Sequence, residues 1–120
     1  MHNYSFLRYD SNDHIGSLMM YGIDCGHGWY TLIDALCYTI EMNLGFTTSF
    51  KVVQIKEKYG GLRFYTVGGD EKIQGMISLA ESMSYNICEI CGNAGKLRDG
   101  SWIRTLCDEH AKKRKKNDVL

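Results

Sequence analysis

Four residues in the C-terminal third, Cys88, Cys91, Cys107 and His110, are spaced as Cys-x-x-Cys, fifteen residues, then Cys-x-x-His. Two residues between ligands let one tight loop turn neighbouring backbone amides toward the sulfurs. Such a loop presents two thiolates at about 2.3 Å from a tetrahedral metal. The second pair closes the tetrahedron. The double spacing is selective enough to outweigh four unrelated Cys and His residues, and it reads as one structural zinc ion per chain. This constrains the chain more than any other feature, because residues 88–110 must close on themselves around one point.

The residues between the pairs agree with that closure. Gly92 follows Cys91, where the loop needs a permissive backbone, and Lys96–Arg98 and Trp102–Thr105 flank an Asp99-Gly100 turn, which predicts a short hairpin. Leu106 to Lys112 then reads as a helix start, with Asp108 and Glu109 in the first turn and bases beyond. Knuckle, hairpin and ligand-bearing helix together resemble a treble-clef zinc finger.

A chain of 120 residues is one domain's worth, small enough for a metal to matter to its stability. Five cysteines are an odd number, and two pairs, Cys88-Cys91 and Cys107-His110, have metal-ligand spacing, which fits a reducing compartment and predicts a cytoplasmic protein. No apolar run approaches the roughly 18 to 20 residues of a membrane span, and the first residues lack a signal peptide's basic-then-apolar order. The formal charge of zero hides an asymmetry. Residues 1–87 hold six Lys and Arg against nine Asp and Glu, a net −3, and residues 88–120 hold eight against five, a net +3. Three zinc-bound thiolates and their ion bring the second half to about +2, which weakens a polyanion-binding reading.

In chain order, residues 1–24 predict loop with one short strand over Ser17–Tyr21. The glycine-punctuated turn around Cys25, Gly26, His27 and Gly28 leads into a helix from Trp29 to Asn43, with Trp29, Ile33, Leu36, Cys37, Ile40 and Leu44 at helical spacing and Gly45 as its stop. Phe50–Lys58 and Leu62–Gly68, joined at Tyr59-Gly60-Gly61, predict a β-hairpin. Asp70 is placed to cap a helix running to Ser84, with Ile73, Met76, Ile77, Ala80 and Met83 on its buried face. The fold class is therefore α+β: helix, β-hairpin, helix, then the zinc module. The divisions are an α+β core over residues 1–87, a zinc subdomain continuous with it over 88–111, and a basic tail over 112–120.

Gly28-Trp29 leading into Leu32-Ile33, the run from Lys56 to Tyr65 (KEKYGGLRFY) and the terminal Cys-x-x-Cys with Leu106 to His110 resemble a family of small, functionally uncharacterised proteins of phage and bacterial genomes. The resemblance covers roughly residues 22–111, and its most specific part is the central run. It implies a phage or bacterial accessory protein, with action against host defence among its roles, and no mechanism. Cys25 and His27 lie outside the pattern.

Lys56, Lys58 and Arg63 lie beside Tyr59 and Tyr65 around a two-glycine turn, a set able to arrange cations and aromatic faces around a phosphate or a base. The plainer alternative makes the lysines solvated strand positions, Glu57 a cross-hairpin partner and the glycines only a turn. There is no P-loop, dinucleotide fingerprint or zinc-deaminase motif, and a metal saturated by four protein ligands has no open position to activate water. Cys25 and His27 as nucleophile and base, or as ligands of a second metal with His2 or His14, lack an orienting third group. The basic run Lys112–Lys116 predicts weak, salt-sensitive and non-specific nucleic-acid binding. The expectation is a non-enzymatic zinc protein that docks on and modulates a partner protein. Its alternative is capture of a nucleic acid or signalling nucleotide by Lys56, Lys58, Tyr59, Arg63 and Tyr65.

Overall fold

Helical spacing of apolar residues and two glycine-rich turns lay out the first half of the protein. The computed structural model describes residues 22–45 and 49–118. The strand expected over Ser17–Tyr21, His2 and His14 lie outside the described residues. A single 3-10 turn, His27–Trp29, feeds helix α1 (Tyr30–Asn43), which stops as Gly45 takes a φ of 63°. Strands β1 (Lys51–Lys58) and β2 (Gly61–Val67) pair antiparallel, with an irregularity between Val52 and Gln54. Helix α2 (Glu71–Ser84) starts at Asp70, whose Oδ1 accepts from the Ile73 amide at 2.9 Å. A second antiparallel pair, β3 (Lys96–Arg98) and β4 (Arg104–Leu106), precedes helix α3 (Asp108–Asp118). The molecule is α+β, with two small hairpins, as the sequence predicts.

Trp29, Ile33, Leu36, Cys37 and Ile40 from the first helical segment meet Phe50, Val52, Ile55, Leu62 and Phe64 of the hairpin and Ile73, Ile77 and Ala80 of α2 in one buried cluster. Each large side chain so buried contributes about 1.5–3 kcal/mol of transfer free energy. Met83, expected on the buried face of α2, is instead 45% exposed, and Met76 only packs at the margin of the core. The buried stripe of α2 runs through Ile73, Ile77, Ala80 and Ser84, so Met83 falls on its flank with Met76 and Leu79, along the groove beside α1.

A two-stranded sheet alone is marginal, with both edges open. Here both are closed. On the β2 side, α2 supplies Ser84 Oγ, which accepts from the Leu62 amide at 2.9 Å, and Glu81 Oε2, which accepts from the Phe64 amide at 2.8 Å. On the β1 side, Asp24 forms a parallel bridge to Lys56: its amide donates to Ile55 O at 2.9 Å and its carbonyl accepts from the Glu57 amide at 3.1 Å.

Candidate metal centre

The chain leaves α2 through a turn at Tyr85 and Asn86 and enters the knuckle. An isolated bridge between Ile87 and Ala94 closes its base, the Cys88 amide donates to Asn93 O at 2.7 Å, and the Gly92 amide donates to Cys88 O at 2.9 Å. Gly92 has a φ of 85°, the conformation its position after Cys91 requires. The second hairpin then returns the chain so that Cys107 sits immediately before α3 and His110 on its first turn, where the His110 amide donates to Cys107 Sγ at 3.4 Å.

The ligand atoms of Cys88, Cys91, Cys107 and His110 all lie within 4.8 Å of one another. The Cys91 and Cys107 sulfurs are 3.8 Å apart, and His110 Nδ1 is 3.2 Å from Cys107 Sγ and 3.6 Å from Cys88 Sγ. A tetrahedron with metal–sulfur bonds of about 2.3 Å has edges of about 3.8 Å, so the donor set fits one four-coordinate ion. The cluster can hold a metal. Its electrostatics favour one too. Burial opposes ionisation of Cys88, but the backbone amides of Cys107, Cys91 and Ile90 overcome it and bring the thiol down to about 6. At Cys91 the Asn93 amide favours the thiolate, yet desolvation and the neighbouring Cys88 and Cys107 sulfurs leave its pKa above the usual value. Sulfurs this close compete to ionise, and a dication removes that competition.

Glu89, inside the knuckle, ties the centre to the start of α1. Its side chain is buried; Oε2 accepts from the Gly26 amide at 2.8 Å and its carbonyl accepts from the Gly28 amide at 2.8 Å. Its Oε1 takes the Arg104 guanidinium at 3.0 Å. Trp29 Nε1 donates to Ile87 O at 2.8 Å on the same seam. A Cβ at Gly28 would lie 2.1 Å from the Cys88 carbonyl oxygen, and one at Gly26 2.3 Å from that of Glu89. The glycine-punctuated turn is therefore a docking surface for the knuckle. The sequence reading missed this role of Glu89 and Arg104, since nothing local in the chain links position 89 to position 26.

The hairpin set is only partly assembled. Register places Lys56 opposite Arg63 and Gln54 opposite Tyr65, so Lys56, Lys58, Arg63 and Tyr65 alternate with the core positions Ile55, Leu62 and Phe64. Tyr59 is exposed at the turn with a φ of 55°, and the Lys58 ammonium lies 5.7 Å from its ring centroid. Arg63 is turned toward α2's end, where Nη1 donates to Tyr85 Oη at 3.2 Å. The Gly60 amide is already satisfied by Glu57 Oε2 at 2.7 Å, so it is no free donor for a ligand. Cys25 and His27 form no pair with one another: the His27 ring lies against Tyr30 at 4.7 Å, and burial, with Glu89, Asp24 and Glu57 nearby, pushes the Cys25 thiol up to about 12. No helix among the described residues is long and apolar enough to cross a membrane.

Compared with known proteins, the chain matches no protein-family model, no curated protein and no solved structure.

Proposed function

We propose that this is a small, non-enzymatic zinc protein that docks a basic amphipathic segment of a partner protein in the groove between α1 and α2. The groove carries the reading. It has a volume of about 180 Å³ and is lined by Leu32, Ala35, Thr39, Met76, Leu79 and Met83. Leu79 is 64% exposed, and Tyr38 and Met42 stand exposed on α1. Apolar side chains left on the outer face of a helix pair, with methionines that repack easily, suit a helix laid into the groove. The two helices carry Asp34, Glu41 and Glu71 against a single cation, Lys72, while Glu81 is turned to β2, so the complementary segment is basic.

Zinc and a treble-clef-like module belong to the same proposal. The order of knuckle, hairpin and ligand-bearing helix supports the module, and three thiolates with one imidazole suit zinc. A tetrahedron closed by four protein ligands leaves no position for a reacting water, which supports a structural role. On the resemblance to phage and bacterial accessory proteins, the partner would be a host protein, defence components included.

The test is nuclear magnetic resonance titration of the metal-loaded chain with a Leu/Lys amphipathic helical peptide. The methyl signals of Leu79, Met76 and Met83 are expected to shift, and Leu79→Glu with Met83→Glu to abolish binding at unchanged metal content. Shifts that fall elsewhere, or a peptide that binds the double variant equally, would sink the reading. A dimer dissociated by the same two substitutions would assign the groove to a second copy instead.

A further inference from the structure

The sequence contains two tryptophans, and the structure treats them oppositely: Trp29 is fully buried, whereas Trp102 is 62% exposed at the tip of the second hairpin. The sequence reading set Trp102 in a strand; it lies before β4, outside the ladder. It is nevertheless held in place. Its carbonyl accepts from Arg114 Nη2 on α3, and the Arg104 guanidinium lies 5.5 Å from its ring centroid. Arg104 is itself gripped by buried Glu89, so the indole is tied to the knuckle and the Trp102 backbone to α3. Arg114, within the stretch read as a basic tail, thus joins α3 to the second hairpin.

Beside the ring opens a pocket of about 360 Å³. Ile90, Trp102 and Leu106 form its apolar wall, and Arg104, Lys113 and Arg114 its cationic side. Lys113 pairs with Glu109 at 3.4 Å, but both side chains are largely exposed and such a pair is weak, so a phosphate can displace the carboxylate. Lys112 is exposed one position earlier, on a neighbouring cleft of about 570 Å³ that shares Arg114.

We propose that this cleft binds single-stranded nucleic acid, with one base stacked on the Trp102 indole and the flanking phosphates met by Lys113 and Lys112. The chemistry discriminates among polyanions. An acidic peptide would satisfy the cations and leave the indole bare, and a duplex keeps its bases stacked on one another and out of the ring's reach. An exposed, pre-positioned aromatic face with adjacent cations suits an unstacked base and its phosphate. The site lies on the half of the chain whose formal charge is +3 and shares no lining residue with the apolar α1–α2 groove, so it is a second surface distinct from that one. It rests on the metal reading only in that the ion fixes the knuckle and α3 on which the cleft stands.

The experiment uses the full chain and fluorescein-labelled oligo(dT), read by anisotropy and by tryptophan emission, with metal content measured on the same samples. Because Trp29 is buried, quenching reports Trp102. The expected result is salt-sensitive binding with quenched emission. Trp102→Ala should weaken it by about 5- to 100-fold, Trp102→Phe restore part of the loss, and Lys113→Glu weaken binding and flatten its salt dependence by about one phosphate. Binding that is absent at low salt, or unchanged in Trp102→Ala, overturns the proposal. So does loss confined to Lys56→Glu or Arg63→Ala, which would move the site to the first hairpin, and so does polyglutamate competing equally with oligo(dT). Zinc-loaded protein that ignores the oligonucleotide defeats this inference alone. Folded zinc-free protein that still binds through Trp102 defeats the metal reading alone.

Discussion

Thr105 Oγ1 donates a 2.6 Å hydrogen bond to the carbonyl of Gly60, joining β4 of the metal module to the turn of the first hairpin across 45 residues of sequence. Both residues are buried. A Cβ at Gly60, whose φ is 85°, would lie 2.5 Å from Leu97 Cδ1, and one at Gly61 would lie 2.3 Å from the Tyr85 ring. Gly60 lets the module seat directly on the turn and Gly61 admits the Tyr85 ring from the end of α2, so the metal centre and the α+β core share an interface.

Thr105→Val should therefore cost about 1–3 kcal/mol in urea denaturation, since it leaves the Gly60 carbonyl buried without its donor. Metal content should not change. A neutral effect would mean that water replaces the hydroxyl and that the seam is looser than its distances imply.

Protein purified without added metal or chelator should carry close to one zinc per chain by elemental analysis. Cys88→Ser and Cys107→Ser should lose it and destabilise the C-terminal third, because structural zinc contributes apparent binding free energy on the order of 10 kcal/mol in finger peptides. Cys25→Ser should leave the stoichiometry as it was. Halved metal content in that variant would reveal a second site.

Two glycine substitutions should act in opposite directions. Gly28→Ala drives a Cβ into the Cys88 and Glu89 backbone, which has no flexible end to yield, and should lower stability by about 1–3 kcal/mol or more. Gly75→Ala, on an exposed turn of α2 with nothing within 4 Å, should raise it by about 0.5–1 kcal/mol. Thermal melts of the pair check both signs.

Ile33→Ala should cost about 2–5 kcal/mol in chemical denaturation, because Ile33 is fully buried between the hairpin and α2. A change near zero would mean that the core collapses around the deletion.

Burial pushes both Cys25 and Cys37 from 9.0 up to about 12, helped at Cys37 by Asp34 and Glu41. The folded chain keeps these thiols protonated where the unfolded chain ionises them. Their contribution to stability is fully present below pH 9.0 and is lost as pH rises toward 12. The denaturation midpoint should fall across that window, and less so in Cys25→Ser. In iodoacetamide labelling read by mass spectrometry, chelator should expose Cys88, Cys91 and Cys107 first, with Cys25 and Cys37 lagging. Early labelling of Cys25 would contradict its raised pKa.

The sequence by itself determined the elements and the four residues whose cluster can hold a metal. Those signals are local: period 3.6 from Trp29 to Ile40, the Asp70 cap, the Tyr59-Gly60-Gly61 turn, and the Cys-x-x-Cys and Cys-x-x-His pairs, whose spacing suits the geometry of one ion. The tertiary structure decided which polar groups join those elements. Ser84 and Glu81 close the edge of β2, Glu89 reaches Gly26 and Arg104, and Thr105 reaches Gly60. These partners lie 15 to 63 residues apart, and no periodicity encodes a hydrogen bond at that range. Exposure was likewise set by assembly. Met83 falls on the apolar period of α2 but sits on the flank of a buried stripe that runs on to Ser84, and Trp102 reads as a strand residue but lies past the end of a three-residue ladder. Whether an apolar side chain is core or surface depends on how far the opposing layer extends, and that length is fixed only when the layers meet.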